Sequence, residues 1–170
     1  MTIRIDRAHL RDLTKVKPLW KAMIADYAEL SDGLWEVRAP QEAWEHRHQE
    51  YLEWINDAGG VVFLATDSTA PEGEDVVGYA ALHFATSGAT FDLGESFGDI
   101  ETLAVRPDYR GRGVGAALMA ACERELERRE IQYVSLQTLA CNEKALRLYA
   151  RSGFQPFMTR LVKRLDSDDA

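Results

Sequence analysis

The chain has 170 residues, 46% of them hydrophobic and 28% charged, with a formal net charge of -8 at pH 7. That is enough for one ordinary hydrophobic core, and the acidic balance argues against general nucleic-acid binding. No apolar run reaches the ~18 residues of a membrane span, and MTIRIDRAHL carries charges where a secretion signal needs an apolar stretch, so a cytoplasmic protein with no membrane partner is expected.

In chain order, Ile3 and Ile5 alternate with Arg4 and Asp6 as a first strand does. Asp12 is the expected cap of a helix carrying Leu13, Val16, Trp20, Met23 and Ile24, kinked or divided at Pro18. After Pro40 a second helix, with Trp44, His48, Tyr51, Leu52 and Ile55 on one side, ends before Gly59 and Gly60. VVFLAT and VVGYAALHF, separated by DSTAPEGED, read as an antiparallel hairpin.

A loop from roughly Ala85 to Phe97 precedes a strand from about Asp99 to Val105, stopped by Pro107. Val114, Ala117, Leu118, Ala121 and Leu126 recur at helical spacing with charged residues opposite. The strand IQYVSLQTL follows, then Asn142 as N-cap of a short helix through Arg151, with Gly153 as its C-cap. Strand, helix, strand in this order predicts a parallel crossover. FQPFMTRLVKRL is expected to form one last strand, and DSDDA a solvated tail: one domain over residues 1–165 and a disordered acidic tail over 166–170.

The turn RPDYRGRGVGA is the most informative segment. Gly111, Gly113 and Gly115 leave the backbone bare where a helix begins, so N–H groups and the positive dipole end can face an anion, and Arg106, Arg110 and Arg112 add positive charge. No Lys stands where a Walker A loop needs one. Gly111, Gly113 and Ala116 satisfy GxGxxA, but no ribose-binding acid follows the next strand and too little chain remains for a doubly wound sheet. Arg110, Gly113 and Gly115 satisfy [QR]xxGx[GA].

With that motif, the strand IETLAV before it and the block NEKALRLYARSGF after it, the chain resembles the GCN5-related N-acetyltransferase family. The resemblance implies an α/β acyl-CoA N-acyltransferase fold, with a central mixed, mainly antiparallel sheet flanked by helices. It implies acetyl-CoA as co-substrate, its pyrophosphate at the N–H groups of Arg110, Gly111, Arg112, Gly113, Val114, Gly115 and Ala116. The pantetheine arm would lie along the backbone of Leu103, Ala104 and Val105, entering where this strand splays from the next, and Asn142 would touch it besides capping its helix. The same resemblance makes Tyr149 the acid that protonates the departing sulfur. An acyl-CoA sensor that catalyses nothing, or a dinucleotide oxidoreductase, are the alternatives.

The chemistry also stands by itself. An amine like that of Lys is almost wholly protonated at pH 7, a handicap of roughly 4 to 5 kcal/mol, so something must take a proton. Glu101 lies mid-strand in an apolar segment, where alternation puts it with Leu103 and Val105 and opposite Thr102 and Ala104, and partial burial is expected to raise its pKa. N–H groups near Leu103 and Ala104 are candidates to hold the thioester oxygen as charge develops.

The resemblance places acceptor recognition in Tyr27 to Pro40 and Ala85 to Phe97. There Asp26, Asp32, Glu36, Asp92 and Glu95 offer an acidic mouth for a cationic small-molecule, peptide or protein amine, with Trp35 and Phe91 for apolar contact. Cys122 and Cys141 are too few for a disulfide framework and make no metal-ligand pattern with the histidines, so no metal is expected and Cys141 reads as structural. After Gly153 only one strand's worth of sequence remains, against the strand pair that the resemblance implies, so the expectation is an acceptor pocket completed by a second subunit of a homodimer or else more open.

Overall fold

The computed structural model describes residues 2–71 and 73–165. Strand β1 (Ile3–Arg7) leads to a 3-10 segment, Leu10–Val16, and helix α1 (Lys17–Ser31), so the first helical stretch is divided, with Pro18 in the first turn of α1, where its missing N–H has no intrahelical acceptor to lose. Asp12 is not the cap: the cap position is His9, and Asp12 reaches back to accept from His9 N–H at 3.1 Å. Helix α2 (Pro40–Asp57) precedes β2 (Val61–Asp67), β3 (Val76–Ala85) and β4 (Phe97–Val105). Helix α3 (Val114–Arg128), β5 (Val134–Leu136) and α4 (Glu143–Arg151) complete the order.

The five strands form one sheet in the order β1-β2-β3-β4-β5, antiparallel except for the parallel β4/β5 pair that the α3 crossover creates. One face is covered by the 3-10 segment, α1 and α2, whose Leu13, Val16, Trp20, Ile24, Trp44 and Tyr51 pack on Leu64, Tyr79 and Ala104. On the other face, Val114, Leu118, Met119, Cys122 and Leu126 of α3 pack on Val77, Leu82 and Ile100. Burial pushes the Cys122 thiol up to about 12, which leaves it an inert core group.

The expected last strand is corrected. FQPFMTRLVKRL forms no strand: its described residues are irregular, and Met158, Leu161 and Leu165 are exposed. Pro156 lacks a ladder donor, and β5 spans only three residues, leaving little edge to pair with. The expected acidic tail, residues 166–170, lies outside the described residues. No helix among the described residues is long and apolar enough to cross a membrane.

Candidate active site

In β4, Thr102 pairs with Ala81 but Ile100 pairs with Leu82, so Glu101 is an extra residue with no partner in β3. This β-bulge breaks the expected alternation. Glu101 and Thr102 both face α2, Glu101 toward Arg47 and Thr102 toward Tyr51, whereas Leu103 and Val105 pack on the α3 side. The reading that grouped Glu101 with Leu103 and Val105 therefore fails, because strict period-2 alternation does not survive an inserted residue.

The same kink opens the sheet. β5 pairs with β4 only from Gly98 to Ile100, and the two strands part beyond Leu136. Arg106 donates its N–H to Val77 O at 2.8 Å, so by alternation Ala104 and Thr102 also turn toward β3, while Leu103 and Val105 direct their N–H groups to the open side. An unpaired edge thus begins at the glutamate.

Arg47 of α2 donates to Glu101 Oε1 at 2.6 Å and pairs with Glu50 at 3.0 Å. Its guanidinium lies 5.1, 5.8 and 5.2 Å from the ring centres of Trp20, Tyr51 and Trp54, a three-sided aromatic clamp. Below it, Tyr51 O–H donates to Thr102 Oγ1 at 2.7 Å and shares a 3.1 Å hydrogen bond with Tyr79. On the other side of Glu101, His83 lies flat on Trp54, ring centres 4.2 Å apart, with Nε2 3.8 Å from Glu101 and 3.7 Å from Asp99.

Burial pushes the Glu101 carboxyl up, but the facing His83 and the Arg47 charge outweigh it and hold it below its ordinary value. The expected upward shift is corrected: Arg47, 54 residues away, supplies the opposite charge. Asp99 goes the other way, raised chiefly by burial. Glu101, His83 and Asp99 bring donor atoms within 4.8 Å of one another, a spacing that suits a metal ion, yet Arg47 already puts a fixed positive charge against Glu101.

After β4, a short 3-10 turn (Pro107–Tyr109) leads into the glycines. Gly111 and Gly113 have φ of +73° and +84°, a left-handed backbone that other residues adopt at a cost. Gly113 is the N-cap of α3 and no side chain caps that helix, so its first amides are left for another partner. Gly115 lets Leu148 of α4 pack within 3.4 Å of where a Cβ would stand. Arg110 donates to Val105 O at 3.0 Å and pairs with Asp26 of α1 at 2.6 Å. That contact takes Asp26 out of the proposed acidic mouth. Arg106 is engaged by Asp108 and by Glu74 O.

Tyr149 is half-buried on α4, edge-on to Phe154, and its phenol is pushed up to about 12 by burial and then by the neighbouring Tyr27. Burial, and then the Glu101 charge, also push the Tyr27 phenol up. Asn142 caps α4 by accepting from Ala145 N–H at 3.2 Å. Cys141 contacts Leu30 O at 3.3 Å, a structural place. Phe91 meets Phe157 edge-on at 4.9 Å, so the loop before β4 leans on the C-terminal segment.

Sequence reasoning missed Arg47, Glu50, Trp54, His83 and Asp99. The signal lay in α2: Trp44, Arg47, Tyr51 and Trp54 recur at helical spacing, which sets an arginine in an aromatic stripe.

The acetyltransferase (GNAT) family model matches residues 27–154. Among curated proteins, a mycothiol acetyltransferase of Nocardiopsis dassonvillei is 34% identical over 125 residues, which is 72% of this chain and 35% of that protein; the chain spans only about a third to a half of the length of such curated relatives. Among solved structures, a GCN5-related N-acetyltransferase from Ralstonia eutropha JMP134 superposes with a TM-score of 0.73 at 23% identity, covering 96% of this chain and 99% of that one. AAC(6')-Iy, in complex with the bisubstrate analogue CoA-S-monomethyl-acetylneamine, superposes with a TM-score of 0.70 at 19% identity, covering 98% of this chain and 99% of that one. The motif content, the sheet that opens at Glu101 and the family match agree: this chain belongs to the acetyltransferase (GNAT) family.

Proposed function

We propose that the chain is an N-acetyltransferase that moves an acetyl group from acetyl-CoA to a primary amine by direct attack. One observation carries this reading: the bulged Glu101 stands where β4 and β5 part, directly before the open amides of Leu103 and Val105 and the uncapped start of α3.

The residues present suit that donor. Backbone from Gly111 to Ala116 offers N–H groups and the α3 dipole to the linked phosphates, with Arg112 alongside, whereas the expected Arg110 N–H is taken by Pro107 O at 3.2 Å; Leu103 and Val105 offer a β-edge to the amide-bearing arm; Asn142 stands at the head of α4. Acetyl-CoA supplies an activated thioester carbonyl. Glu101 accepts the amine proton, directly or through water, and the Leu103 N–H stands nearest the opening to support the developing oxyanion. Tyr149, protonated throughout the neutral range, donates its hydroxyl proton to the sulfur as the C–S bond breaks and the C–N bond forms. A cytoplasmic location belongs to the same reading.

A second reading, acyl-CoA binding without turnover, draws on the Arg47–Glu101 pair, because a carboxylate already neutralised by arginine is a poor base. Thiol release from acetyl-CoA, measured across a panel of amines, separates the two. Amine-dependent release supports transfer, and thermal stabilisation by acetyl-CoA without release supports the sensor. Absence of both sinks the assignment of the donor site.

A further inference from the structure

Beside the carboxylate lies a cavity of about 430 Å³, within the size range of small-molecule sites. Its floor is apolar, formed by Trp20, Ile24, Val37 and Ala43. Arg38, His46 and Arg47 stand around it with Glu50 as the one lining acid, an unusual balance in a chain of formal net charge -8. Arg47 belongs both to this cavity and to the Glu101 pair, so its guanidinium is the wall between the two.

Resting on the acetyl-transfer reading, we infer that the acceptor is an amine with a carboxylate beside it and an apolar body, of the α-amino acid class, and that Arg47 reads the carboxylate.

Ligands differ in whether they can break the Arg47–Glu101 contact without stranding a charge. Arg47 and Glu101 are 17% and 29% exposed, and Arg47 Nε is buried without a hydrogen-bond partner among the described residues. A simple cationic amine that takes Glu101 Oε1, the oxygen Arg47 holds, must push Arg47 aside, repel it at short range and leave the guanidinium one partner poorer in its aromatic clamp. An amino acid replaces both partners together. Its ammonium takes Glu101, and its carboxylate takes the guanidinium, whose planar fork matches two oxygens. Glu50 stays on Nη1 throughout, and the apolar side chain covers Trp20, Ile24 and Val37. Other charges around Glu101 do not substitute for this exchange: His83 and Asp99 lie beyond it on β3 and β4, and Arg38 is held by Glu42 at 2.6 Å.

The test is thiol release from acetyl-CoA with leucine, phenylalanine and methionine, each compared with its amide, and with 3-methylbutylamine. The amide's amine is the weaker base and is more readily deprotonated, so a preference for the free acid runs against intrinsic reactivity. The expected result is kcat/KM for at least one free acid about ten-fold or more above its amide, expressed mainly in KM. In Arg47→Gln, with folding checked by its melting temperature, the acid-to-amide ratio is expected to fall to within about two-fold, on top of any change in rate that acid and amide share through the lost Glu101 contact. Arg47→Lys, which keeps charge but loses the fork, is expected to fall between and serves if Arg47→Gln does not fold. Amides or 3-methylbutylamine used as well as the acids, or a ratio that survives in the folded variants, overturns the inference and leaves acetyl transfer standing. No release with any amine overturns acetyl transfer, and this inference with it.

Discussion

Arg47 Nη2 and Glu101 Oε1 meet at 2.6 Å across the α2/β4 interface, so the residue best placed to take a proton is held ionised by a cation from another element. Because Glu101 lies below its ordinary value, its carboxylate is charged throughout the range in which activity is measured. Log kcat/KM is therefore expected to rise with the deprotonation of the acceptor amine and to show no separate inflection between about pH 5 and 7. An inflection there traced to Glu101 contradicts the ion pair. Glu101→Gln is expected to lose about 10²-fold in kcat while thermal stabilisation by acetyl-CoA is unchanged.

Tyr149 has the opposite character, a phenol raised to about 12 that keeps its proton at every working pH. It is a slow acid, and a thiol of pKa near 8.5 needs little help, so Tyr149→Phe is expected to cost about ten-fold or less in kcat. Steady-state kinetics at saturating acetyl-CoA measures this; a loss as large as that of Glu101→Gln contradicts the ordering.

At Gly113 a Cβ would meet nothing within 4 Å, yet φ is +84°. Gly113→Ala is expected to destabilise the protein by about 1–2 kcal/mol through backbone strain alone and to reduce the acetyl-CoA thermal shift, because the methyl group stands in the approach to the helix amides. Differential scanning calorimetry with and without the ligand reads both effects, and an unchanged melting temperature removes the strain argument.

Away from the site, Glu125 on α3 is 9% exposed and accepts from Arg128 at 2.7 Å and Arg129 at 2.7 Å. The Arg128 hydrogen bond, then that of Arg129, outweigh burial and pull its carboxyl from 4.5 to about 2. A depressed folded-state value stabilises above the unfolded value and is lost as pH falls through the folded one, so this contribution is complete above about pH 5 and fades toward pH 2. Glu125→Gln is expected to lower stability at pH 7 by on the order of 2 kcal/mol and to flatten the acid side of the stability curve. Equal slopes for both proteins between those pH values contradict it.

Much of the architecture is legible in local pattern. The β2/β3 hairpin follows from two β-rich runs around a polar connection, and the parallel β4/β5 pair from the helix between them. The glycine turn could be placed because positive φ leaves a residue-type signature. What escaped was decided by tertiary contact. No residue type marks Glu101 as bulged, since the register depends on β3. Arg47 reads as a solvated helix charge until Trp20 and Glu101 arrive from elsewhere in the chain. The expected strand from Phe154 to Leu165 had strand-forming residues and no neighbour to pair with.

The seam that opens beyond Ile100 has a cost as well as a use. Backbone amides left without a neighbour exchange their hydrogens with solvent, and a bare strand border invites adhesion to other chains. In deuterium labelling of the ligand-free protein, Leu103 and Val105 should therefore stand out as fast positions alternating with slow ones at Thr102, Ala104 and Arg106, and saturation with the thioester should close that contrast and curb self-association.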